Sequence, residues 1–193
     1  MFTFIKGLLY PVHVGRSDPQ FGEIMMEHYG GKDSEFSAAT QYLNHRSNLS
    51  NHYVKELLGL IAAEEISHME MIACAIKMLG GPPLSYVNSK GIPWNMDYVD
   101  QSLEPIAMLQ ADAEAEIRAR ALYDEHLTMT NDPCLKQMLS FLGSREDVHK
   151  HLFQKAQALI IRGTKPEQFK QLISEYKVSF YKRNSDNSLK RRR

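Results

Sequence analysis

The sequence predicts an all-α fold, a four-helix bundle with a long crossover between its second and third helices and an extension at each end, and three observations predict it. A lone Glu is followed thirty residues later by a Glu-x-x-His, and this occurs twice: Glu35 with Glu65 and His68, then Glu116 with Glu146 and His149 (65 − 35 and 146 − 116). Apolar residues recur at steps of three and four through both Glu-x-x-His segments, the period of a helix that buries one face. With 193 residues, ten Met and abundant Ala, Leu, Glu and Lys, the chain is rich in helix formers and long enough to enclose a substantial core.

The elements follow in order. Residues 1–30 make an N-terminal extension, with an extended Tyr10-Pro11-Val12-His13-Val14 and a short amphipathic helix near Pro19 to Glu27, stopped by Gly30-Gly31. The bundle itself occupies residues 31–163. Its first helix runs from about Lys32 to Leu49. The second follows almost at once, with Asn51 as its cap and Gly80-Gly81-Pro82-Pro83 as its stop, and so short a link makes the pair antiparallel. Pro82 to Leu103 is a connection of about twenty residues carrying Pro82, Pro83, Gly91, Pro93 and the single Trp94. Stretched, it spans roughly 70 Å, enough to cross a bundle whose helices are about 40 Å long. That is the crossover of a ferritin-like bundle. The third helix spans about Glu104 to Thr128, Asn131-Asp132-Pro133 makes a turn and cap, and the fourth runs to Arg162 before Gly163. Residues 164–193 form a C-terminal extension: a further helix over Thr164 to Tyr181 outside the bundle, then a polar end, Ser185 to Arg193, that composition predicts to be disordered.

The doubled motif sits inside the apolar stripes. Leu58, Ile61, Glu65, His68, Ile72, Ile76 and Leu79 share one face of the second helix; Leu135, Leu139, Leu142, Glu146, His149, Phe153, Ala156 and Ile160 share one face of the fourth. Residues i and i+3 aim a carboxylate and an imidazole at one point. One Glu from each of two helices and a Glu-x-x-His from each of the others is the donor set of a carboxylate-bridged metal pair. Ionised carboxylates in a core need compensating cations, which two divalent ions supply. Neighbouring acids fall off the stripe. Glu64 lies roughly a hundred degrees round the helix from Glu65 and is read as solvated, with Glu70, Glu114 and Asp147; Glu116 aligns with Leu109, Ala113, Tyr123 and Leu127.

Other function classes lose support. With 23 acidic and 23 basic residues, no net charge favours nucleic acid or anionic membrane as the main partner. No stretch approaches the eighteen or so apolar residues of a membrane span. Lys6 interrupts the apolar start and no small-residue cleavage site follows, so a cytosolic synthesis without a secretory signal is expected. Cys74 and Cys134, the only cysteines, fall in helical patterns and are read as reduced, buried thiols; without a Cys-x-x-Cys there is no rubredoxin-type iron module. His13, His28, His45, His52, His126 and His151 lack a carboxylate at ligand spacing and are expected at the surface or at caps. No phosphate loop, nucleotide fingerprint or Ser-His-Asp arrangement is evident.

Several of these segments carry a resemblance. Tyr10-Pro11-Val12-His13-Val14, Gly30-Gly31-Lys32-Asp33-Ser34-Glu35, Ala63-Glu64-Glu65-Ile66-Ser67-His68-Met69-Glu70-Met71-Ile72 and Asn131-Asp132-Pro133 together resemble the manganese catalase family, most closely its short spore-coat branch, the CotJC-like proteins of spore-forming bacteria. The resemblance covers residue 5 to about 162. It implies that Glu65 bridges two manganese ions, that Glu35 and His68 complete one ion's protein ligands and Glu116 and His149 the other's. Glu146 matches an acid that handles protons without ligating, and Tyr42 a Tyr that hydrogen-bonds near the metals; a core aromatic with a satisfied hydroxyl is the alternative for Tyr42. The sequence departs from some members at Ala115, where they have Arg, and Arg118 and Arg120 are read as lying on other faces.

The activity so implied is disproportionation of hydrogen peroxide to water and dioxygen, in a homo-oligomer, a hexamer by resemblance, within the spore coat among other coat proteins. Carboxylate and imidazole suit manganese or iron alike. Two alternatives stay open on the residues: a di-iron ferritin-like oxidase or peroxidase in which Glu146 ligates directly, and a structural coat protein whose metal site turns over weakly.

Overall fold

The computed structural model describes residues 8–190, with side chains to Phe180. Two short helices open the chain, α1 (Pro19–Ile24) and α2 (Met26–Gly30), where one helix ending near Glu27 was expected. Four long helices follow: α3 (Glu35–Asn48), α4 (His52–Leu79), α5 (Pro105–Met129) and α6 (Pro133–Ile161). Each bundle helix begins on a side chain that accepts from the first free backbone N–H groups: Ser34 for α3, Asn51 for α4, Glu104 for α5 and Asp132 for α6. Pro105 and Pro133 stand in the first turn, where a missing N–H costs nothing. At the end of α4, Gly80 takes φ 77°, the left-handed cap that releases the chain into the crossover.

The short links bracket two hairpins, α3 with α4 and α5 with α6, which pack together as the bundle. The crossover between Gly80 and Glu104 holds only a 3₁₀ turn, Met96–Tyr98, and an isolated bridge between Val87 and Pro93. It is pinned along α3: Trp94 Nε1 donates to Ser37 Oγ at 2.9 Å, and the Asp100 N–H to Gln41 Oε1 at 2.8 Å. Among the described residues there is no strand, and no helix is long and apolar enough to cross a membrane.

Beyond α6 a 3₁₀ turn, Pro166–Phe169, leads to α7 (Lys170–Lys190), packed on α4 and α6 outside the bundle. The expected C-terminal helix is there and longer than predicted, so the end read as disordered from Ser185 is helical to Lys190; Arg191, Arg192 and Arg193 lie outside the described residues. Two apolar clusters fill the interior. Leu57, Leu58, Ile61, Leu109, Leu152 and Phe153 lead one, which extends to Phe169, Leu172 and Tyr176; Met71, Ile72, Ile76, Leu135, Leu139 and Leu142 lead the other. The polar centre lies between them along α4 and α6, because both stripes carry their acids and histidines at mid-length. Cys74 and Cys134 are free thiols, partly buried.

Candidate metal centre

All seven residues singled out in the sequence, Glu35, Tyr42, Glu65, His68, Glu116, Glu146 and His149, are buried and converge. Glu65 is central. Its Oε2 lies 2.8 Å from His68 Nδ1 and its Oε1 2.8 Å from His149 Nδ1. Glu35 Oε2 stands 3.5 Å from His68 Nδ1, and Glu116 Oε1 3.5 Å from His149 Nδ1. Glu146 reaches both sides, with Oε1 3.6 Å from His68 Nδ1 and Oε2 3.8 Å from His149 Nδ1. Two donor groups result, Glu35, Glu65, His68 and Glu146, and Glu65, Glu116, Glu146 and His149, each with its atoms within 4.8 Å of one another.

These close approaches are not hydrogen bonds. Both oxygens of Glu65, both nitrogens of His68, Glu116 Oε2, Glu146 Oε1 and His149 Nδ1 are buried without a hydrogen-bonding partner. So many orphaned polar atoms, all but His68 Nε2 gathered around Glu65, would be costly in a core unless something else satisfies them. Donor atoms about 3 Å apart have the spacing of neighbouring ligands on one ion with bonds of about 2.1 Å. Four carboxylates match the charge of two divalent cations. The residues therefore fit a metal pair.

Electrostatics agree. Burial, reinforced by the charge of Glu146, pushes Glu35 well up, and burial with the charges of Glu65 and Glu116 does the same to Glu146. Burial and then Glu65 raise Glu116. Glu65 behaves oppositely: burial works against its charge, but the imidazoles of His149 and His68 hold it down to about 2. The cluster thus concentrates anionic charge on the central carboxylate and makes its surrounding acids reluctant to ionise unaided.

A Tyr bonds each outer Glu. Tyr42 of α3 donates to Glu116 Oε1 at 2.7 Å, and Tyr123 of α5 donates to Glu35 Oε1, so each hairpin's Tyr serves the other hairpin's carboxylate. Sequence reasoning left Tyr123 as a core aromatic. The signal was available: Glu116, Glu146 and His149 repeat Glu35, Glu65 and His68 at an offset of 81 (116 − 35), and Tyr123 repeats Tyr42 at the same offset.

Other expectations are corrected. Glu64 is buried, not solvated, and forms an ion pair with buried Arg145 (Nε to Oε1, 2.6 Å) because α7 covers that flank of α4 and α6. Arg145 occupies in the second half the place that Glu64 holds in the first, again 81 residues on (145 − 64). His28, His45 and His126 are buried as well, whereas His13, His52 and His151 are exposed as expected. His45 Nδ1 bonds Asp112 Oδ1 at 2.8 Å, and His28 Nε2 lies 2.9 Å from His126 Nδ1 while its ring stacks on Tyr123. Arg118 does not face away from Ala115. Both line a cavity of about 10 Å³ that runs from Lys32, Asp33 and Tyr98 at its mouth to Glu35, Tyr42, Glu116 and Glu146. Arg118 Nε donates there to Asp33 Oδ1 at 2.7 Å, while Arg120 pairs with Asp124 and Asp147 elsewhere.

The family of manganese-containing catalases matches the chain over residues 1–82 and 80–183. The chain belongs to this manganese catalase family. The match extends past residue 162, where the sequence resemblance ended, and takes in most of α7. Protein CotJC of Bacillus subtilis is 34% identical over 176 residues, 81% of this chain and 93% of the relative. KatB, a manganese catalase from Anabaena, superposes with a TM-score of 0.80 at 29% identity, covering 83% of this chain and 81% of that one. A bacterioferritin of Desulfovibrio desulfuricans superposes with a TM-score of 0.61 at 19% identity, which shows the ferritin-like fold alone. Membership in the catalase family implies a dimanganese centre, and the buried donor groups supply a place for it.

Proposed function

We infer that this chain disproportionates hydrogen peroxide to water and dioxygen at a pair of manganese ions held by Glu35, Glu65, His68, Glu116 and His149. The observation that carries this is the pocket of orphaned donor atoms around Glu65 in a chain of the manganese catalase family. Glu65, with one oxygen toward each histidine, is suited to bridge; Glu35 with His68 and Glu116 with His149 serve one ion each. Bound there, the metal pair supplies a two-electron redox change, so that one peroxide takes up two electrons and two protons to give two waters and a second returns both to give dioxygen.

The chain's own residues manage access and protons. The cavity, about 10 Å³, gives small molecules a narrow approach to Glu35, Glu116 and Glu146. Glu146 lines it, and its buried, unpartnered Oε1 is the atom at which a proton is held and returned, because burial keeps this carboxyl protonated more readily than an exposed Glu. Tyr123 occupies Oε1 of Glu35 and leaves Oε2 toward His68, while Tyr42 holds Oε1 of Glu116, the oxygen that also faces His149.

Residues 31–163 are the catalytic bundle in this reading, with 1–30 and 164–193 as extensions. A homo-oligomer, a hexamer by resemblance, and a place in the spore coat among other coat proteins complete it; similarity to CotJC supports the location. The test is metal content by mass spectrometry on protein grown with manganese and iron both supplied, with dioxygen release from peroxide followed on the same sample. About two manganese per chain with rapid dioxygen release is expected. Two iron without release would overturn the assignment in favour of a di-iron protein, and metal without turnover would leave a structural coat protein.

A further inference from the structure

Behind the histidines lies a second layer that reaches outside the bundle. His149 Nε2 hydrogen-bonds Glu64 Oε2 at 3.0 Å, and His68 Nε2 lies 3.4 Å from Glu64 Oε1, so one carboxylate faces the outer nitrogen of both rings. Donating Nε2–H to a carboxylate leaves Nδ1 unprotonated and aimed inward, the tautomer a metal needs. Arg145 holds that carboxylate as a fork, Nε to Oε1 at 2.6 Å and Nη2 to Oε2 at 3.3 Å. Arg145 is itself gripped from α7. Its Nη1 donates to Ser179 Oγ at 3.0 Å, and its guanidinium sits 4.3 Å from the centre of the Phe180 ring. Tyr176, also of α7, donates to the Leu60 carbonyl of α4 at 3.1 Å and closes the same flank.

We propose that Glu64 and Arg145 are positioning residues of the metal centre, and that α7, by gripping Arg145, couples its own docking to manganese binding. The inference rests on the ligand assignment proposed above. Removing the grip lets Arg145 and then Glu64 relax, and the imidazoles lose the contact that sets their tautomer and tilt. Coupling is reciprocal: if docked α7 favours manganese, manganese favours docked α7 by the same factor.

Full-length protein tests this by chelator competition for manganese, with the metal-free unfolding midpoint as a check on folding. Glu64→Gln and Arg145→Met are expected to weaken manganese binding by about ten- to a hundredfold, the usual effect of losing an outer-shell partner. Arg145→Lys, which keeps the charge without the fork, should recover part of that loss, and Ser179→Ala with Phe180→Ala should weaken binding several-fold. Adding manganese to the wild type should slow amide hydrogen exchange across residues 170–180. Equal affinity in Glu64→Gln and wild type, or exchange in α7 indifferent to manganese, would overturn the proposal. If Glu64→Gln does not fold, the α7 double variant and the wild-type exchange experiment still decide. Wild-type protein that takes up no manganese would instead sink the ligand assignment.

Discussion

Glu65 concentrates the site's logic in one side chain. Both of its oxygens are buried, unpartnered and 2.8 Å from a histidine nitrogen on opposite sides. Glu65→Ala should therefore lower bound manganese from about two per chain to nearly none, read by mass spectrometry after dialysis, where loss of a peripheral ligand would spare one ion. Tyr42 and Tyr123 make a subtler case. Replacing either by Phe removes a donor and leaves a buried carboxylate oxygen bare, which costs about 1–3 kcal/mol. Urea unfolding of Tyr42→Phe and Tyr123→Phe should show losses of that size, similar in the two because the tyrosines hold equivalent places in the two hairpins. Glu65, His68, Glu116, Glu146 and His149 were legible because each sits within an apolar stripe of period 3.6, and Glu35 because it repeats the thirty-residue spacing. Glu64 was not: its angle on α4 is that of a flank, and a flank is dry only if another element covers it.

At the level of elements, the caps make quantitative statements. Asp132 accepts from the N–H groups of Cys134 and Leu135 in α6 and also from Gly15 at 2.6 Å, so one carboxylate starts the longest helix and ties down the N-terminal extension. Asp132→Ala should cost about 1–2 kcal/mol. Its pH dependence has a definite sign. Partial burial raises its pKa, but the backbone donors of Gly15, Leu135, Cys134 and Arg16 outweigh that and leave it below its ordinary 3.8. The folded-state pKa is depressed, so the contribution is complete above pH 3.8 and fades as pH falls through the lower folded value. The gap in urea midpoint between wild type and Asp132→Ala should accordingly hold constant near neutrality and narrow in acid. Gly80 is a separate instance: at φ 77° a Cβ meets the following carbonyl, and Gly80→Ala should cost about 1–2 kcal/mol in the same assay. These caps were readable from local residue order, since Asn51 and Asp132 act within three residues of themselves.

On the scale of the whole molecule, the bundle encloses four carboxylates that repel one another in a dry core. Whatever cation satisfies them binds the folded chain and not the unfolded one, so metal and fold are linked. Manganese at about a hundred times its dissociation constant should add about 2.7 kcal/mol. Stripping it with a chelator should lower the melting temperature by on the order of 5 °C or more, and restoring manganese should reverse the shift. A protein whose melting temperature ignored chelation would have a centre held together by protons alone. The extensions take part at this scale too: α1 and α2 pack on α4, and α7 seals the flank that carries Glu64 and Arg145.

By itself the sequence determined the four bundle helices, the caps at Asn51 and Asp132, the crossover and the acids and histidines of the repeated motif, because each depends on periodicity, on spacing or on contacts a few residues apart. Only the tertiary structure decided which outer faces are dry. It buried Glu64 with Arg145, paired His45 with Asp112, stacked His28 on Tyr123 and brought Arg118 to the mouth of the cavity beside Ala115. Each of these joins residues from 67 to 95 positions apart (112 − 45 and 123 − 28), or depends on a neighbouring element's coverage, and no helical pattern along one element encodes what lies across from it.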